Sequence, residues 1–83
     1  MFEQKLLQLT IARVDEPVFT GPVRSVSVPG VDGVMELMAD HTPLVSNLTS
    51  GEIRVQTESG ETLTYPVSMG TLEVAHNQAT ILI

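Results

Sequence analysis

Cysteine is absent from the 83 residues. That excludes a disulfide framework, a thiolate nucleophile and a zinc site built on sulfur, and it fits a reducing compartment. Tryptophan is absent too, and Phe2, Phe19 and Tyr65 are the only aromatics. A core must then be built from Val, Leu, Ile and Met, and the stacking platforms that hold single strands or sugars are lacking. Positive charge is scarce: Lys5, Arg13, Arg24 and Arg54 stand against ten acids, for a formal net charge of -6. This disfavours nucleic-acid binding, whose affinity comes from cations on phosphates, and direct attachment to an anionic membrane. No apolar run approaches the ~20 residues of a membrane span. The start, Met1-Phe2-Glu3-Gln4-Lys5-Leu6, lacks the basic head and apolar run of a signal peptide. Without that context the sequon Asn47-Leu48-Thr49 reads as ordinary chain.

What the sequence does contain is alternation with period two. Leu7, Leu9 and Ile11 alternate with polar or small residues, as do Arg24, Val26 and Val28, then Ile53 and Val55, then Leu63, Tyr65 and Val67, then Leu72 and Val74, then Ala79, Ile81 and Ile83. Each set predicts a half-buried strand. Breakers fall between them at Gly21-Pro22, Pro29-Gly30, Gly33, Pro43, Ser50-Gly51, Ser59-Gly60, Met69-Gly70 and His76-Asn77. No window sustains helical spacing. The pattern predicts an all-β, antiparallel sandwich or flattened barrel of roughly eight to ten short strands, in one domain spanning 1–83. Two hairpins are local, Ile53–Thr57 with Thr62–Val67 and Thr71–Ala75 with Ala79–Ile83. Pro66 marks an edge strand or bulge, since it cannot donate to a ladder. So small a domain buries only about 60% of its unfolded surface and gains from a partner.

The sequence offers little to catalysis. It has no G-x-S-x-G elbow, no P-loop and no G-x-G-x-x-G, and its two histidines, His41 and His76, have no metal-binding spacing. The densest group of functional side chains lies in PGVDGVMELMADHTPL, residues 29–44, where Asp32, Glu36, Asp40 and His41 follow one another closely. Two readings compete. One is a metal or acid–base site. The other makes Asp32 and Asp40 turn residues and His41 a hydrogen-bonding turn residue. Met35, Leu37 and Met38 in the same stretch cannot all point one way on a strand. They imply either an exposed apolar face suited to a partner or a corner buried on both sides.

Three segments in order then identify a family. LQLTIARVDEPVFTGPVRSVSVPGVDG, DHTPLVSNLTSGEIRV and YPVSMGTLEVAHNQATILI resemble the opening strands and glycine turn, the G-H-A-P-L segment and the V-S-G-G-x-L-E-V segment of the N-terminal β-sandwich domain of the epsilon subunit of rotary F-type ATP synthases. The resemblance covers almost the whole chain. It implies a central-stalk part of a proton- or sodium-driven rotor, without catalytic residues, cofactor or metal. The turn Val31, Asp32, Gly33, Val34, Met35, Glu36 would touch the ring of c subunits. His41, Thr42 and Pro43 would lie on the side of the gamma subunit. Membrane association would come only through the complex, on the cytoplasmic side of a bacterial inner membrane. The family's C-terminal helical hairpin is not among the 83 residues, so neither inhibition of hydrolysis nor nucleotide binding is expected of this polypeptide.

The chain departs from the family pattern at a few places. Glu36 and Asp40 stand where glycine is usual, Ala39 where proline is usual, and Met69 replaces the first of two glycines. Val34 lies where many members are polar. Most of these cluster in residues 29–44. The alternative to a stalk subunit is a small metal- or ligand-binding β-domain centred on Asp32, Glu36, Asp40 and His41.

Overall fold

The computed structural model describes residues 5–83. The start Met1–Gln4, with Phe2, lies outside the described residues. Among the described residues every regular element is a strand: β1 Leu7–Arg13, β2 Glu16–Gly30, β3 Gly33–Met38, β4 Leu44–Leu48, β5 Gly51–Thr57, β6 Thr62–Val67, β7 Gly70–Ala75 and β8 Gln78–Leu82. The two local hairpins form as expected, β5 with β6 and β7 with β8. Eight strands fall within the predicted range.

The organising element is β2, 15 residues long. Its first half pairs antiparallel with β1, from Arg13↔Glu16 to Leu7↔Val23. Its second half pairs with β3 on one side and β5 on the other. β1 also lies parallel to β8, which leads through β7 to β4, and β4 returns to β2 at Gly30↔Leu48. One layer is therefore β1–β8–β7–β4, the other is β3–β2–β5–β6, and β2 serves both.

Two expectations about this strand need correction. Gly21-Pro22 does not break the chain: the ladder continues through Leu9↔Gly21 and Gln8↔Pro22. Arg24 does not face inward with Val26 and Val28 but is exposed. The register against β5 shifts between Val23 and Ser25. A bulge there adds one residue and resets the alternation, so Val23 and Val26, three apart, are both fully buried.

The core is aliphatic. Leu7, Leu9, Ile11, Val23, Val26, Val28, Leu37, Ile53, Val55, Leu72, Val74 and Ile81 are its large, fully enclosed side chains, and no polar or charged side chain is buried among the described residues. Methionine contributes less than its abundance predicts. Met35 packs partly against the core, whereas Met38 and Met69 are exposed. Phe19 and Tyr65 pack beside the core with ring centroids 6.5 Å apart at 55°, a favourable tilted geometry. Pro66 sits on β6, which among the described residues pairs only with β5 and so forms an edge there.

Gly70 fits where nothing larger does. A Cβ at this position would collide with the Leu82 carbonyl oxygen and meet Ile83 Cγ2 at 2.9 Å. Because the obstacle includes backbone, Gly70→Ala is expected to cost about 1–3 kcal/mol through a forced shift of the β7–β8 ladder. Urea denaturation of the variant measures this directly. A loss below ~0.5 kcal/mol would mean that the two strands separate freely.

Candidate functional site

Residues 29–44 form the β2–β3 hairpin and the corner that follows it. Two residues, Val31 and Asp32, bridge the closing pair Gly30↔Gly33, and Gly33 takes φ +132°, a conformation that favours glycine. The hairpin tip is tied to β4: Val31 N–H donates to the Asn47 carbonyl at 3.1 Å, and Thr49 N–H to the Pro29 carbonyl at 2.8 Å. Behind it, a Cβ on Gly51 would lie 2.9 Å from Pro29 Cβ, so the β4–β5 turn is pressed against the hairpin base. The tip is therefore a fixed projection.

Along β3 the side chains alternate. Met35 and Leu37 turn inward, Met35 half-buried and Leu37 fully. Val34, Glu36 and Met38 turn outward, with Val34 76% and Met38 52% exposed. Asp32 and Gly33 are exposed at the tip, as is Val31. The ambiguity over Met35, Leu37 and Met38 thus resolves residue by residue. Two of them hold the strand, and the third joins Val34 in an apolar outer face interrupted by Glu36.

At the far end of β3, about 20 Å from the tip at ~3.4 Å per residue, the chain turns a tight corner. Asp40 takes φ +62°. That left-handed conformation favours glycine, and Asp is among the few other residues that tolerate it. Asp40 carboxylate meets Lys5 Nζ at 2.8 Å. His41 N–H donates to the Met38 carbonyl at 3.2 Å, and the ring Nδ1 lies 2.7 Å from the Thr42 carbonyl, to which it donates. Thr42 and Pro43 are exposed beside it. His41 is the hydrogen-bonding turn residue that its spacing predicts.

A metal or acid–base centre is not assembled here. Asp32 is at the tip, Glu36 on the outer face of β3, and Asp40 and His41 are committed to the opposite corner. Among the described residues no three of His, Cys, Asp or Glu come together in a group able to hold a metal ion. The structure does not bring the four side chains of the alternative reading together.

One side chain that shapes the His41 corner is not visible in the sequence pattern. Asn77, in the β7–β8 turn, donates through Nδ2 to the Leu6 carbonyl at 2.8 Å and accepts through Oδ1 from Asp40 N–H at 2.9 Å. Its own carbonyl accepts from Gln8 N–H at 3.1 Å. Asn77 therefore joins the entry to β1 to the His41 corner. His76 and Asn77 both have positive φ, +52° and +58°, the two-residue turn that matches the twist of a hairpin. That pairing marks His76-Asn77 as a turn in sequence, but nothing local reveals that Asn77 reaches residue 40.

Fold and site together define a β-sandwich with a fixed projecting hairpin, an outer strand that is partly apolar, and no assembled reacting group among the described residues. The chain belongs to the ATP synthase delta/epsilon chain β-sandwich domain family, whose model matches residues 6–83. An ATP synthase epsilon chain of Protochlamydia amoebophila is 35% identical over 77 residues, covering 93% of this chain and 52% of the relative. The chain thus spans about half the length of that relative. Among solved structures it resembles a chain of the Euglena gracilis mitochondrial ATP synthase, resolved with OSCP, F1 and c-ring, with a TM-score of 0.86, 26% identity and coverage of 99% of this chain and 52% of that one. A chain of the Tetrahymena thermophila central stalk and c-ring structure shares the fold, with a TM-score of 0.78 at 9% identity, over 98% of this chain and 65% of that one.

Proposed function

We propose that the domain is a central-stalk component of a proton- or sodium-driven F-type ATP synthase. In this reading it fixes the gamma subunit to the ring of c subunits and carries no catalytic residue of its own. The observation that carries it is the family match through residues 6–83, which includes every strand. The geometry supports it. The tip, Val31 to Val34 with Glu36 behind it, is exposed and available to face the ring, and His41, Thr42 and Pro43, just beyond the other end of β3, would face gamma. Met35 supports the tip from inside. The domain would then be peripheral to the membrane, held on the cytoplasmic side of a bacterial inner membrane through the complex alone.

Co-expression with the cognate gamma subunit is the direct test. The two chains are expected to co-purify, and gamma to raise the melting temperature of the domain by mass action. If neither occurs, the rotor reading loses its main support. Within the assembled complex, Asp32→Lys is expected to weaken ring retention and ATP-driven ion pumping while changing the stability of the isolated chain by less than ~0.5 kcal/mol, as for other exposed positions. Unchanged pumping would place the ring contact elsewhere.

A further inference from the structure

Among the described residues β3 pairs only with β2, so one of its long edges is open. Which groups line that edge follows from the ladder. Pro29 gives its carbonyl to Thr49, on the side away from β3. Backbone groups alternate sides along a strand, so Val26, Val28 and Gly30 are the β2 residues bonded to β3. Their partners are Leu37, Met35 and Gly33. Val34, Glu36 and Met38 therefore direct their N–H groups to the open edge, with the carbonyls of Val34 and Glu36. The Met38 carbonyl is taken by His41.

Exposed edges normally carry protection in the form of proline, lysine or a bulge. The other edge strand of this layer, β6, has Pro66. β3 has no proline and no lysine, its register against β2 is unbroken, and its one protecting charge is Glu36. Its outward side chains are instead Val34 and Met38, both exposed, flanking Glu36. Glu36 is in neither of the two ion pairs formed among the described residues, and its cross-strand neighbour on β2 is Ser27.

The geometry points to β3 as an acceptor for an added strand: an extended segment of another protein chain, with apolar, basic and apolar side chains at alternate positions, beside Val34, Glu36 and Met38. Neighbours across a sheet sit about 4.5–5.5 Å apart at Cβ, close enough for such pairs to select a partner. Charge argues for this occupant over a second copy of the chain. Self-pairing about the middle of β3 would bring Glu36 against its counterpart and join two bodies of net charge -6. The inference rests on the open edge and not on the rotor reading, although the edge begins at the proposed ring-facing tip.

The probe is a cyclised hairpin peptide presenting Thr-Val-Thr-Lys-Thr-Val-Thr on one strand, which reduces the ordering cost of binding, titrated to millimolar concentration into the full chain. A control peptide carries Glu in place of Lys. Amide exchange is expected to slow at least tenfold at Val34 and Glu36 with the lysine peptide, while Met35 and Leu37, already bonded to β2, change little. Glu36→Lys, a surface change that leaves the core alone, is expected to reverse the preference between the peptides. The proposal is overturned if Val34 and Glu36 gain no protection, if both peptides bind equally, or if the chain self-associates through β3. Retained binding of gamma alongside any of those results would overturn this inference alone and leave the rotor reading standing.

Discussion

Leu37→Ala is expected to lower the stability of the domain by about 2–5 kcal/mol, the cost of truncating a fully enclosed leucine. A domain of this length has roughly 4–12 kcal/mol in total, at ~0.05–0.15 kcal/mol per residue, so the loss is a large fraction. Its location matters as much as its size. Among the described residues β3 is held by one neighbouring strand and by two inward side chains, Leu37 and the half-buried Met35. Without Leu37, Met35 alone fastens the strand to the core. We therefore expect β3 to open below the global unfolding free energy, with fast amide exchange at Met35 and position 37. Leu72→Ala supplies the comparison, because Leu72 is equally buried but belongs to the other layer. It should cost a similar amount in urea denaturation without selective opening of β3. If Leu37→Ala costs less than ~1 kcal/mol, or if both variants leave β3 equally protected, the strand is held by its ladder and not by its anchor.

The second large effect is expected at Asn77. Asn77→Ala removes two side-chain hydrogen bonds, each with a net value of about 1 kcal/mol, and leaves alanine at φ +58°, a left-handed conformation that asparagine tolerates better, at a further cost of up to ~1 kcal/mol. The expected loss is about 2–3 kcal/mol. His76→Gly in the same turn touches neither bond and relieves the neighbouring positive φ, so it should stay within ~1 kcal/mol, allowing for the greater chain entropy of glycine. The informative readout is the ring resonances of His41. They should shift in Asn77→Ala, because Asp40 N–H loses its acceptor and the corner loosens, and stay in place in His76→Gly. A stable Asn77→Ala protein with unmoved His41 signals would show that the corner is held by the Lys5–Asp40 pair or by the Met38–His41 turn.

Much of the architecture is legible in the sequence because half-buried strands advertise themselves. Leu7, Leu9 and Ile11, Ile53 and Val55, and Leu72 and Val74 read correctly from alternation alone, and the turn chemistry of Ser59-Gly60 and His76-Asn77 delimits the two hairpins. The family too is legible, from three segments in order. The failures have physical causes. Alternation points Arg24 inward because a bulge inserts one residue without any compositional mark. Gly21-Pro22 reads as a break because local chain chemistry does not reveal whether a neighbouring strand needs the missing N–H. The parallel contact of β1 with β8 joins segments about 70 residues apart, and the reach of Asn77 to Asp40 spans 37 positions. Such contacts are set by how layers close, which no short window contains. The acid–histidine grouping in residues 29–44 is dense in sequence only, since a strand carries its ends apart while sequence distance keeps them close.

The shared strand β2 also has a mechanical meaning. It runs from the partner of Arg13 to the base of the projecting hairpin, flanked by β1 along one half and by β3 and β5 along the other. A load applied to the hairpin along that axis shears these ladders, so their hydrogen bonds resist in parallel. A sideways load on β3 peels its ladder one bond at a time. The domain is thus expected to be strong along one direction and weak across it, and unfolding forces measured by pulling along β2 should exceed those measured by pulling β3 outward.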